Sequence, residues 1–560
     1  MKIKLVLAAI TAAALGGSAP AAAGESVTVR SFVYEGNDDY YRENPLTSPA
    51  QFYNPIIPGW HSDPSIVRVG DDYWLVVSTF GYYPGVPLFH SRDLVNWEMT
   101  RNVLDRPSQL PYLKGQSLGK GGIYAPHISY NPANKLFYMV TTDVGRKNGH
   151  FYVTTADPAS DWSDPVWLDG IDGIDPSFFF DDNGKSYIVY KEDTTGKPKW
   201  SNFRSIRFIE FDPDKGNTVG ESWTFDEAGV GPEEKLDRDE GPHIYKINGR
   251  YYLICAEGGT GSQHSAVIYR ADDVRGPWTR WSRNPMLTQR HLKDNRTNPV
   301  TCAGHADLVE TPEGEWWAVF LAQRPGPGKF QALGRETFMM PVKWSRDGFP
   351  YMTQATDTVP MVLERKAARR GDNMISGNFI WTDDFSSPKL RPEWMSLRGD
   401  ASHYYSLGKD GLRLAYGEEL STGAGTPAYL GRRLQHHKFN VETGLVFDKA
   451  PSAGESAGLM ILKTEDRQYY LAVGDKAVEL RQIGRKGAVD VLASEPVDFA
   501  KGRNFVLKVV SDGEHYDFMW RQGDRGEWHK LASGIDASYV SCDRTGGFTG
   551  ATVGVYAERR

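Results

Sequence analysis

The chain has 560 residues, of which 40% are hydrophobic and 24% are charged, and its formal net charge at pH 7 is −7. This length exceeds what one hydrophobic core usually supports, so we predict a folded protein of two or more domains rather than a disordered chain. The acidic excess argues against nucleic acid and anionic membranes as partners, because both need clustered Lys and Arg. The 16 Trp, 28 Tyr and 25 Phe suit a carbohydrate ligand, since aromatic rings combine a broad apolar face with polar edges.

The first residues have the pattern of an export signal. Lys2 and Lys4 precede an apolar run from Leu5 to Leu15, and three alanines at 21–23 provide a small-residue cleavage site. The run covers about half of the ~20 residues that a membrane-spanning helix needs. We therefore predict a signal peptide over residues 1–23 and a periplasmic or secreted protein without a membrane anchor.

The cysteines give no sign of a disulfide framework or a metal centre. Cys255, Cys302 and Cys542 are few and odd in number, so at least one thiol stays unpaired. Cys255 sits in the apolar run from Tyr251 to Ala256, which favours a buried structural residue over a catalytic thiol. No spacing of Cys and His predicts a zinc site.

Five segments of the chain share one pattern, in which a small polar or acidic group precedes a short strand, a turn and an aromatic-rich second strand. They begin at His61, Tyr124, Ile174, Asp239 and Gly304. They recur about every 50 to 66 residues, which is long enough for four short strands, and no long helical pattern separates them. We predict an all-β fold with a five-bladed β-propeller over residues 50–358. An array of β-sandwiches is the alternative.

The last third of the chain predicts a second domain. A basic stretch from Glu364 to Arg370 interrupts the strand pattern, so residues 359–378 are interpreted as a linker. Short alternating strands resume beyond it, for example from Gly458 and from Asn504. We predict a β-sandwich over residues 379–560.

The repeats place acidic residues at equivalent positions. Asp63 and Asp175 occupy the same repeat position, each followed by Pro and Ser, and Glu240 lies one residue before that position in the fourth repeat. An isolated Asp-Pro pair usually marks a turn. In a propeller, however, the first strands of all blades line one channel, so these three carboxylates are expected to face a single pocket. Such a trio suits acid and base catalysis on an uncharged substrate, and glycosidic-bond hydrolysis needs a pair of carboxylates. A wide separation across the propeller mouth would leave room for water and produce inversion.

The motifs around these residues resemble glycoside hydrolase family 43, especially its β-xylosidase and α-L-arabinofuranosidase members. The resemblance runs in order from Asn54 to about Met352 and rests on NPIIPGWHSDPSIVRVGDDYW, STFGYYPGVPLFHSRDLVNWE, GIDPSFFFDDNGKSYIVYKED, DEGPHIYKINGRYYL, AEGGTG, GHADLVETPEGEWW and LGRETF. The segments WTDDFSSPKLRPEW and TGGFTGATVGVYA resemble the concanavalin-like jelly roll that follows the propeller in family 43 xylosidases.

The resemblance implies a role for each matching residue. Asp63 would be the general base, Glu240 the general acid, and Asp175 the carboxylate that orients Glu240 and tunes its proton affinity. Arg335 would contact the sugar and the base, although a structural ion pair is the alternative. His305 matches a histidine that faces the channel near a bound ion or water cluster, so calcium is one implication there and ordinary hydrogen bonding is the other.

Further implications concern the pocket rim and the second domain. Tyr82 and Tyr83 fall where the family carries aromatics beside the first sugar subsite, with core packing as the alternative. Asp383 and Asp384 are candidate ligands for a structural calcium ion, with an acidic turn as the alternative; no cofactor is expected for the chemistry. The chain departs from the family pattern at residues 124–127, where Tyr-Ala-Pro-His replaces the usual Trp-Ala-Pro-Asp, so the rim is expected to differ.

These observations predict an exported, inverting, exo-acting β-xylosidase that releases terminal xylose from plant cell-wall xylo-oligosaccharides. An α-L-arabinofuranosidase, or an enzyme with both activities, is the first alternative, because the two terminal sugars present similar hydroxyls. A carbohydrate-binding propeller without catalysis is the second. Retaining fructan enzymes carry an Asn-Asp-Pro motif, whereas Ser62 precedes Asp63 here, so that class is disfavoured. The sequence leaves the oligomeric state open.

Overall fold

The computed structural model describes residues 26–110, 113, 115–192, 203–224, 238–293, 295–372, 374–421 and 424–560. The signal peptide predicted over residues 1–23 lies outside this described part. The two predicted units are present, a five-bladed β-propeller and a β-sandwich. Among the described residues, no helix is both long enough and apolar enough to cross a membrane.

Each blade of the propeller is an antiparallel sheet that starts at the central channel. The strands of blade I are Ser65–Val69, Asp72–Val76, Gly85–Ser91 and Glu98–Leu104, and those of blade II are Ile123–Asn131, Leu136–Asp143, His150–Thr155 and Val166–Trp167. Blade III contains Ile174–Phe180, Ser186–Glu192, Ser205–Asp212 and Asn217–Thr224. Blade IV contains Glu240–Ile247, Arg250–Glu257, Ser265–Ala271 and Thr279–Arg280, with Leu287–Thr288 beside its third strand. Blade V contains Thr301–Glu310, Trp316–Gln323 and Glu336–Pro341, and a hairpin of Lys343–Trp344 and Pro350–Tyr351 follows it.

The segment before blade I closes the ring against blade V. The side chain of Asn54 bonds to the backbone of Met339 through both its donor and its acceptor, at 2.8 and 3.0 Å. Ile57 and Thr337 exchange two backbone hydrogen bonds, at 3.3 and 3.2 Å. Next to this seam, Gln51–Tyr53 pairs with Val362–Glu364. The predicted linker over 359–378 therefore contains one short paired strand, Val362–Glu364.

The sandwich consists of two facing sheets. The first sheet contains Ser26–Gly36, Ile380–Asp383, Tyr405–Gly408, Gly411–Ala415, Lys438–Phe447, Asn504–Asp512, His515–Gln522 and His529–Asp536. The second contains Gly417–Glu418, Tyr429–Arg433, Glu455–Thr464, Arg467–Val473, Ala477–Ile483, Val489–Pro496 and Thr552–Arg559. Short helices are found at Asp39–Glu43, Ser402–Tyr404, Arg485–Gly487, Ala537–Val540 and Cys542–Thr545, and the strand Ser396–Leu397 pairs with Tyr82–Tyr83 of the propeller.

The first described strand, Ser26–Gly36, belongs to the sandwich and not to the propeller. It lies between Gly411–Ala415 and Lys438–Phe447, so it is an interior strand of the first sheet. Its alternating burial, with Val29 and Phe32 fully buried, is the period of two expected for a strand with one face on the core. The sandwich therefore extends beyond the predicted range of 379–560 to include a segment from the other end of the chain.

A chain that starts at Asn37 should lose much of its stability. The deletion exposes the sandwich core and removes a hydrogen-bonding partner of three strands, Ile380–Asp383, Gly411–Ala415 and Lys438–Phe447. It also removes four buried apolar side chains, which at about 1.5–3 kcal/mol each exceed half of a typical folding free energy. Thermal unfolding followed by circular dichroism measures the effect, with a chain that starts at Ser26 as the matched control. Equal melting temperatures for the two chains would contradict the placement of this strand.

An apolar interface joins the two units on the side of blades I and II. Trp60, Phe80 and Tyr82 of the propeller form one buried cluster with sandwich residues that include Leu397 and Tyr470. Because this contact is apolar and buried, it holds the sandwich against the propeller. That position brings one sandwich loop to the channel mouth.

Candidate active site

One backbone feature recurs at the channel end of four blades. Asp63, Asp175, Gly241 and His305 occupy the same repeat position, and all have a left-handed backbone, with φ of 56°, 56°, 57° and 52°. The inner strands of blades II to V also shift register near this position. Left-handed backbone is uncommon for residues other than glycine. Its repetition shows that these four blades turn the chain in the same way at the channel mouth, where three of them present the side chain of that residue.

These four positions contact one another around the ring. The ring nitrogen Nδ1 of His305 lies 3.7 Å from Oδ1 of Asp63, and the Gly241 amide donates a 3.0 Å hydrogen bond to Oδ2 of Asp175. A Cβ added to Gly241 would lie 2.8 Å from the His305 ring, so this position cannot carry a side chain. The crowding explains why the acid of blade IV is Glu240, one residue earlier than in blades I and III.

Asp63 is a buried carboxylate, held in its ionised form. Arg335 Nη1 donates a 3.1 Å hydrogen bond to Oδ1, and the Ser78 hydroxyl donates a 2.6 Å bond to Oδ2. Burial by itself would raise the pKa of Asp63, but the charge of Arg335, the nearby His305 and the hydroxyl bonds outweigh burial and lower it. Within the described part of the chain, Nε of Arg335 has no hydrogen-bond partner, so this guanidinium both pairs with Asp63 and keeps a donor for a ligand.

Asp175 and Glu240 lie close enough to affect each other's protonation. Burial, followed by the charges of Glu240 and Asp63, raises the pKa of Asp175 well above its usual value. Burial also raises the pKa of Glu240, with Lys191 opposing and Asp63 adding to the increase. Two neighbouring carboxyls of this kind retain a proton at pH values where isolated ones lose it. The hydrogen bond from the Gly241 amide favours the ionised form of Asp175, so we assign the proton that the pair shares to Glu240.

Sequence reasoning missed two polar residues beside the acids, Tyr124 and Lys191. Burial and the charges of Asp63, Asp175 and Glu240 raise the pKa of Tyr124 to about 12, with Arg335 opposing them, so its side chain lies near the acidic group. Its hydroxyl donates to the Lys120 carbonyl. The departure from the family pattern at this position was the available signal. Lys191 pairs across the strand from Ile174 and lowers the pKa of both Asp175 and Glu240; it lies in a quoted motif without having been assigned a role.

An aromatic wall stands beside the acids, and one of its rings belongs to the sandwich. The centroid of Phe548 lies 5.6 Å from that of Tyr124 and 5.9 Å from that of Phe80. The Arg335 guanidinium is centred 5.1 Å from the Phe548 ring. The Phe548 amide donates to the Gly119 carbonyl at 2.8 Å, which anchors the loop to the propeller. The second domain thus completes the wall. Phe548 lies in the motif TGGFTGATVGVYA, which predicts the jelly roll but not a contact with the acids.

Phe548→Ala should lower kcat/KM about tenfold, mainly through KM, because losing one cation–π and stacking contact costs about 1–2 kcal/mol at a partly desolvated site. Steady-state kinetics on an aryl glycoside measures this change, and Phe548→Tyr is the matched control that keeps the ring. Unchanged kinetics in the alanine variant would show that the sandwich loop does not contribute to substrate binding.

Tyr82 and Tyr83 do not line the site, which corrects their predicted contact with substrate. Tyr82 is fully buried and its ring centroid lies 4.9 Å from that of Trp60. Tyr83 is 6% exposed, and its hydroxyl donates to the Asp105 carbonyl at 2.8 Å. Both residues pair with the sandwich strand Ser396–Leu397. The packing alternative is therefore the correct one, and Phe80, two residues before Tyr82, takes the place beside the acids.

The surroundings of His305 differ from a calcium site. Burial and the neighbouring cationic or basic groups His243, His264 and Arg335 lower its pKa to about 3, with Asp63 opposing them, so the ring is neutral near pH 7. Calcium prefers oxygen ligands, whereas these neighbours offer nitrogen, and Asp63 is already bonded to Arg335. Calcium at His305 remains a prediction.

Asp383 and Asp384 have the hydrogen bonds of an acidic turn. Asp383 accepts bonds from the Phe385 amide and from Trp394 Nε1, both at 2.8 Å. Asp384 accepts a 3.0 Å bond from the Ser386 amide. A calcium ion at these residues also remains a prediction.

A propeller that gathers an ion-paired aspartate, a glutamic acid with a raised pKa and a third carboxyl group at one channel mouth has the parts of a glycoside hydrolase. Residues 52–350 match the model for glycosyl hydrolases family 43, and residues 382–560 match the model for the β-xylosidase C-terminal concanavalin A-like domain. The chain belongs to glycosyl hydrolases family 43.

Named relatives span both domains. The chain is 35% identical over 525 residues to a non-reducing end α-L-arabinofuranosidase of Bacteroides ovatus, covering 90% of this chain and 91% of the relative. It is 36% identical over 519 residues to a xylosidase/arabinosidase of Butyrivibrio fibrisolvens, covering 90% and 95%. Among solved structures, a family 43 protein from a capybara gut metagenome superposes with a TM-score of 0.88 at 38% identity, covering 96% and 100% of the two chains.

Proposed function

We propose that this family 43 hydrolase is an inverting exo-glycosidase that releases terminal xylose from β-1,4-xylo-oligosaccharides. The observation that carries the proposal is the contrast between two acids at one channel mouth: Asp63 is bonded to Arg335, which lowers its pKa, whereas burial raises the pKa of Glu240 beside Asp175. Single-step displacement by water requires a protonated acid and an ionised base at the same pH. The aromatic wall completed by Phe548 supports the release of single terminal sugars.

The chemical step follows from these protonation states. Glu240 donates its proton to the glycosidic oxygen while the bond between that oxygen and the anomeric carbon breaks. Asp63 takes a proton from a water molecule, whose oxygen bonds to the anomeric carbon from the opposite face, so the configuration inverts. Asp175 holds the backbone next to Glu240 through the Gly241 amide, and Arg335 keeps Asp63 ionised until the water is deprotonated. Proton exchange with solvent then restores both acids.

The plot of kcat/KM against pH should be bell-shaped, with Asp63 setting the acidic limb and Glu240 the alkaline limb. On the acidic side, kcat/KM falls as Asp63 becomes protonated, and its lowered pKa moves that limb below the usual value for aspartate. On the alkaline side, kcat/KM falls as Glu240 loses its proton, and its raised pKa moves that limb above the usual value for glutamate. A profile of kcat/KM between pH 3 and 9 tests this, and Arg335→Met should shift the acidic limb upward. An acidic limb that stays in place would contradict the assignment.

Substrate choice is decided by assaying 4-nitrophenyl β-D-xylopyranoside and 4-nitrophenyl α-L-arabinofuranoside side by side, with the β-D-glucopyranoside as control. Activity on both pentosides is the second candidate, supported by the arabinofuranosidase and xylosidase/arabinosidase names of the two relatives. Dominant glucoside hydrolysis would overturn both. Proton NMR during xylobiose hydrolysis should show the α-anomer of xylose first, and an initial β-anomer would overturn inversion.

We also propose that the protein is exported, on the basis of Lys2, Lys4 and the apolar run that follows them. The expected mature protein, expressed in a Gram-negative host, begins at Gly24 and is found in the periplasm or medium. Intact-mass measurement of the purified protein tests this, and a mass that includes residues 1–23 would contradict it.

A further inference from the structure

We propose that His127, His243 and Asp307 form a binding site for a divalent transition-metal ion inside the propeller channel, behind the catalytic acids. The candidate ligand atoms of these three side chains lie within 4.8 Å of one another. Ligands of one zinc-like ion lie about 2.0–2.2 Å from the metal, so small side-chain adjustments bring all three into reach. The site is separate from the turn at Asp383 and from the calcium implied at His305.

The repeat architecture explains why three distant residues meet there. Each lies two residues after the ring position occupied by Ala125, Gly241 and His305 in blades II, IV and V. The equivalent residues of blades I and III are serines, Ser65 and Ser177. The channel therefore has a second polar ring below the catalytic one, and the His243 ring centroid lies 6.1 Å from that of His305.

The side chain of His243 is the feature that indicates a bound ligand. Its side chain is 5% exposed, and within the described residues neither ring nitrogen has a hydrogen-bond partner. Buried polar groups nearly always have a partner, so a histidine with two open nitrogens needs an explanation. The neighbouring ring of His127 lies nearly parallel at 5.0 Å, so the two imidazoles present their edges to the same part of the channel.

Asp307 is oriented by hydrogen bonds in the way that a metal-binding carboxylate is oriented. Its Oδ2 accepts bonds from the Ser65 hydroxyl at 2.7 Å and the Ile66 amide at 2.9 Å, and its Oδ1 accepts the Tyr245 hydroxyl. Supporting bonds of this kind orient metal-binding carboxylates. A carboxylate offers about four lone-pair positions, so Asp307 retains one for an ion.

The donor set favours zinc, cobalt or nickel over calcium or magnesium. Nδ1 of His127 accepts only a long 3.4 Å hydrogen bond from the Phe178 amide, so its lone pair can bind an ion in exchange for that weak bond. Two imidazoles and one carboxylate suit transition metals, whereas calcium and magnesium require mainly oxygen ligands. Water would fill the remaining coordination positions.

An ion can reach the site from the face opposite the catalytic acids. A cavity of about 290 Å³ there is lined by His127, Asp307, Tyr245, Ser129 and Arg68. Once bound, the ion would link the inner strands of blades II, IV and V across the axis, where they otherwise meet mainly through side chains. We therefore expect it to stabilise the closed ring.

The test uses the full mature chain without an affinity tag, stripped with EDTA and dialysed against zinc, cobalt or calcium. Plasma mass spectrometry should find one equivalent of zinc or cobalt per chain and little calcium, and zinc should raise the melting temperature. Bound cobalt should give a visible absorption spectrum typical of mixed nitrogen and oxygen ligation. In His243→Gln and Asp307→Asn, the dissociation constant should increase about 100-fold or more.

His150→Gln is the matched control, since His150 is a fully buried histidine of blade II outside the trio, and it should retain one equivalent of metal. Circular dichroism checks that each variant folds. If Asp307→Asn does not fold, the metal affinity of His127→Gln is measured in its place. Absence of metal binding at micromolar concentrations, or equal binding by the trio variants and the control, would overturn the proposal. Neither outcome bears on the glycosidase assignment, since the binding measurement needs no substrate.

Discussion

Glu240→Gln should lower kcat/KM on xylobiose about 10³-fold, within the range that general acid catalysis contributes. Glutamine keeps the shape of the side chain but has no proton to donate to the leaving oxygen. The loss should be much smaller on 2,4-dinitrophenyl β-D-xylopyranoside, because dinitrophenolate leaves without protonation. The ratio of the two losses, measured by steady-state kinetics, identifies the acid independently of any effect on folding.

Glu310→Gln is the matched control for this variant. Glu310 lies at the far end of the inner strand of blade V and is exposed, so both substrates should be hydrolysed at the wild-type rate. Equal losses on the two substrates in Glu240→Gln would contradict the role of Glu240 as acid. Full activity on both would indicate that the acids do not perform catalysis, as in a carbohydrate-binding propeller.

Asp63→Asn is expected to have the largest effect, a loss of about 10⁴-fold on every substrate regardless of the leaving group. Water still has to be deprotonated even when the leaving group is excellent. Sodium azide, which needs no deprotonation, should restore part of the activity on the dinitrophenyl substrate and yield the glycosyl azide of inverted configuration. Retained configuration in that product would contradict the assignment of Asp63 as base.

The same variant should also be less stable, which requires its own control. Arg335 is 6% exposed and loses its charged partner, and breaking a buried ion pair on one side costs about 3–5 kcal/mol. The double variant Asp63→Asn/Arg335→Met removes the unpaired charge, so we expect it to recover stability without recovering activity. Urea unfolding monitored by tryptophan fluorescence separates the two effects. Recovery of activity in the double variant would show that misfolding, and not loss of the base, caused the defect.

Much of the propeller could be predicted because its signal is local and repeated. Near the start of the inner strand, a small or acidic residue precedes proline in four blades, and His305 precedes Ala306 in the fifth. Alignment of the repeats therefore identified Asp63, Asp175 and Glu240 as neighbours although they are far apart along the chain. The displacement of Glu240 by one residue was visible in the sequence. Its cause, the contact between Gly241 and the His305 ring, was not.

Other parts of the site depend on contacts that no local pattern reports. Phe548 reaches the acids because the sandwich docks on blades I and II, and the strand Ser26–Gly36 joins that sandwich from the opposite end of the chain. Tyr82 and Tyr83 have the composition of a sugar-binding platform, yet the same interface buries them. Aromatic residues in a motif suit both roles equally, so only the docking of the two domains decides between them.

The sequence by itself determined the all-β class, the five repeats and the three acids, because strand periodicity and repeat register are properties of short segments and survive without coordinates. The tertiary structure alone decided the domain boundaries, the aromatic wall and the meeting of His127, His243 and Asp307. Those features arise when the ring closes and the sandwich packs against it. Closure of the ring brings together residues whose separation along the chain has no regular period. The pKa values of these residues then depend on the burial and the neighbouring charges that closure creates.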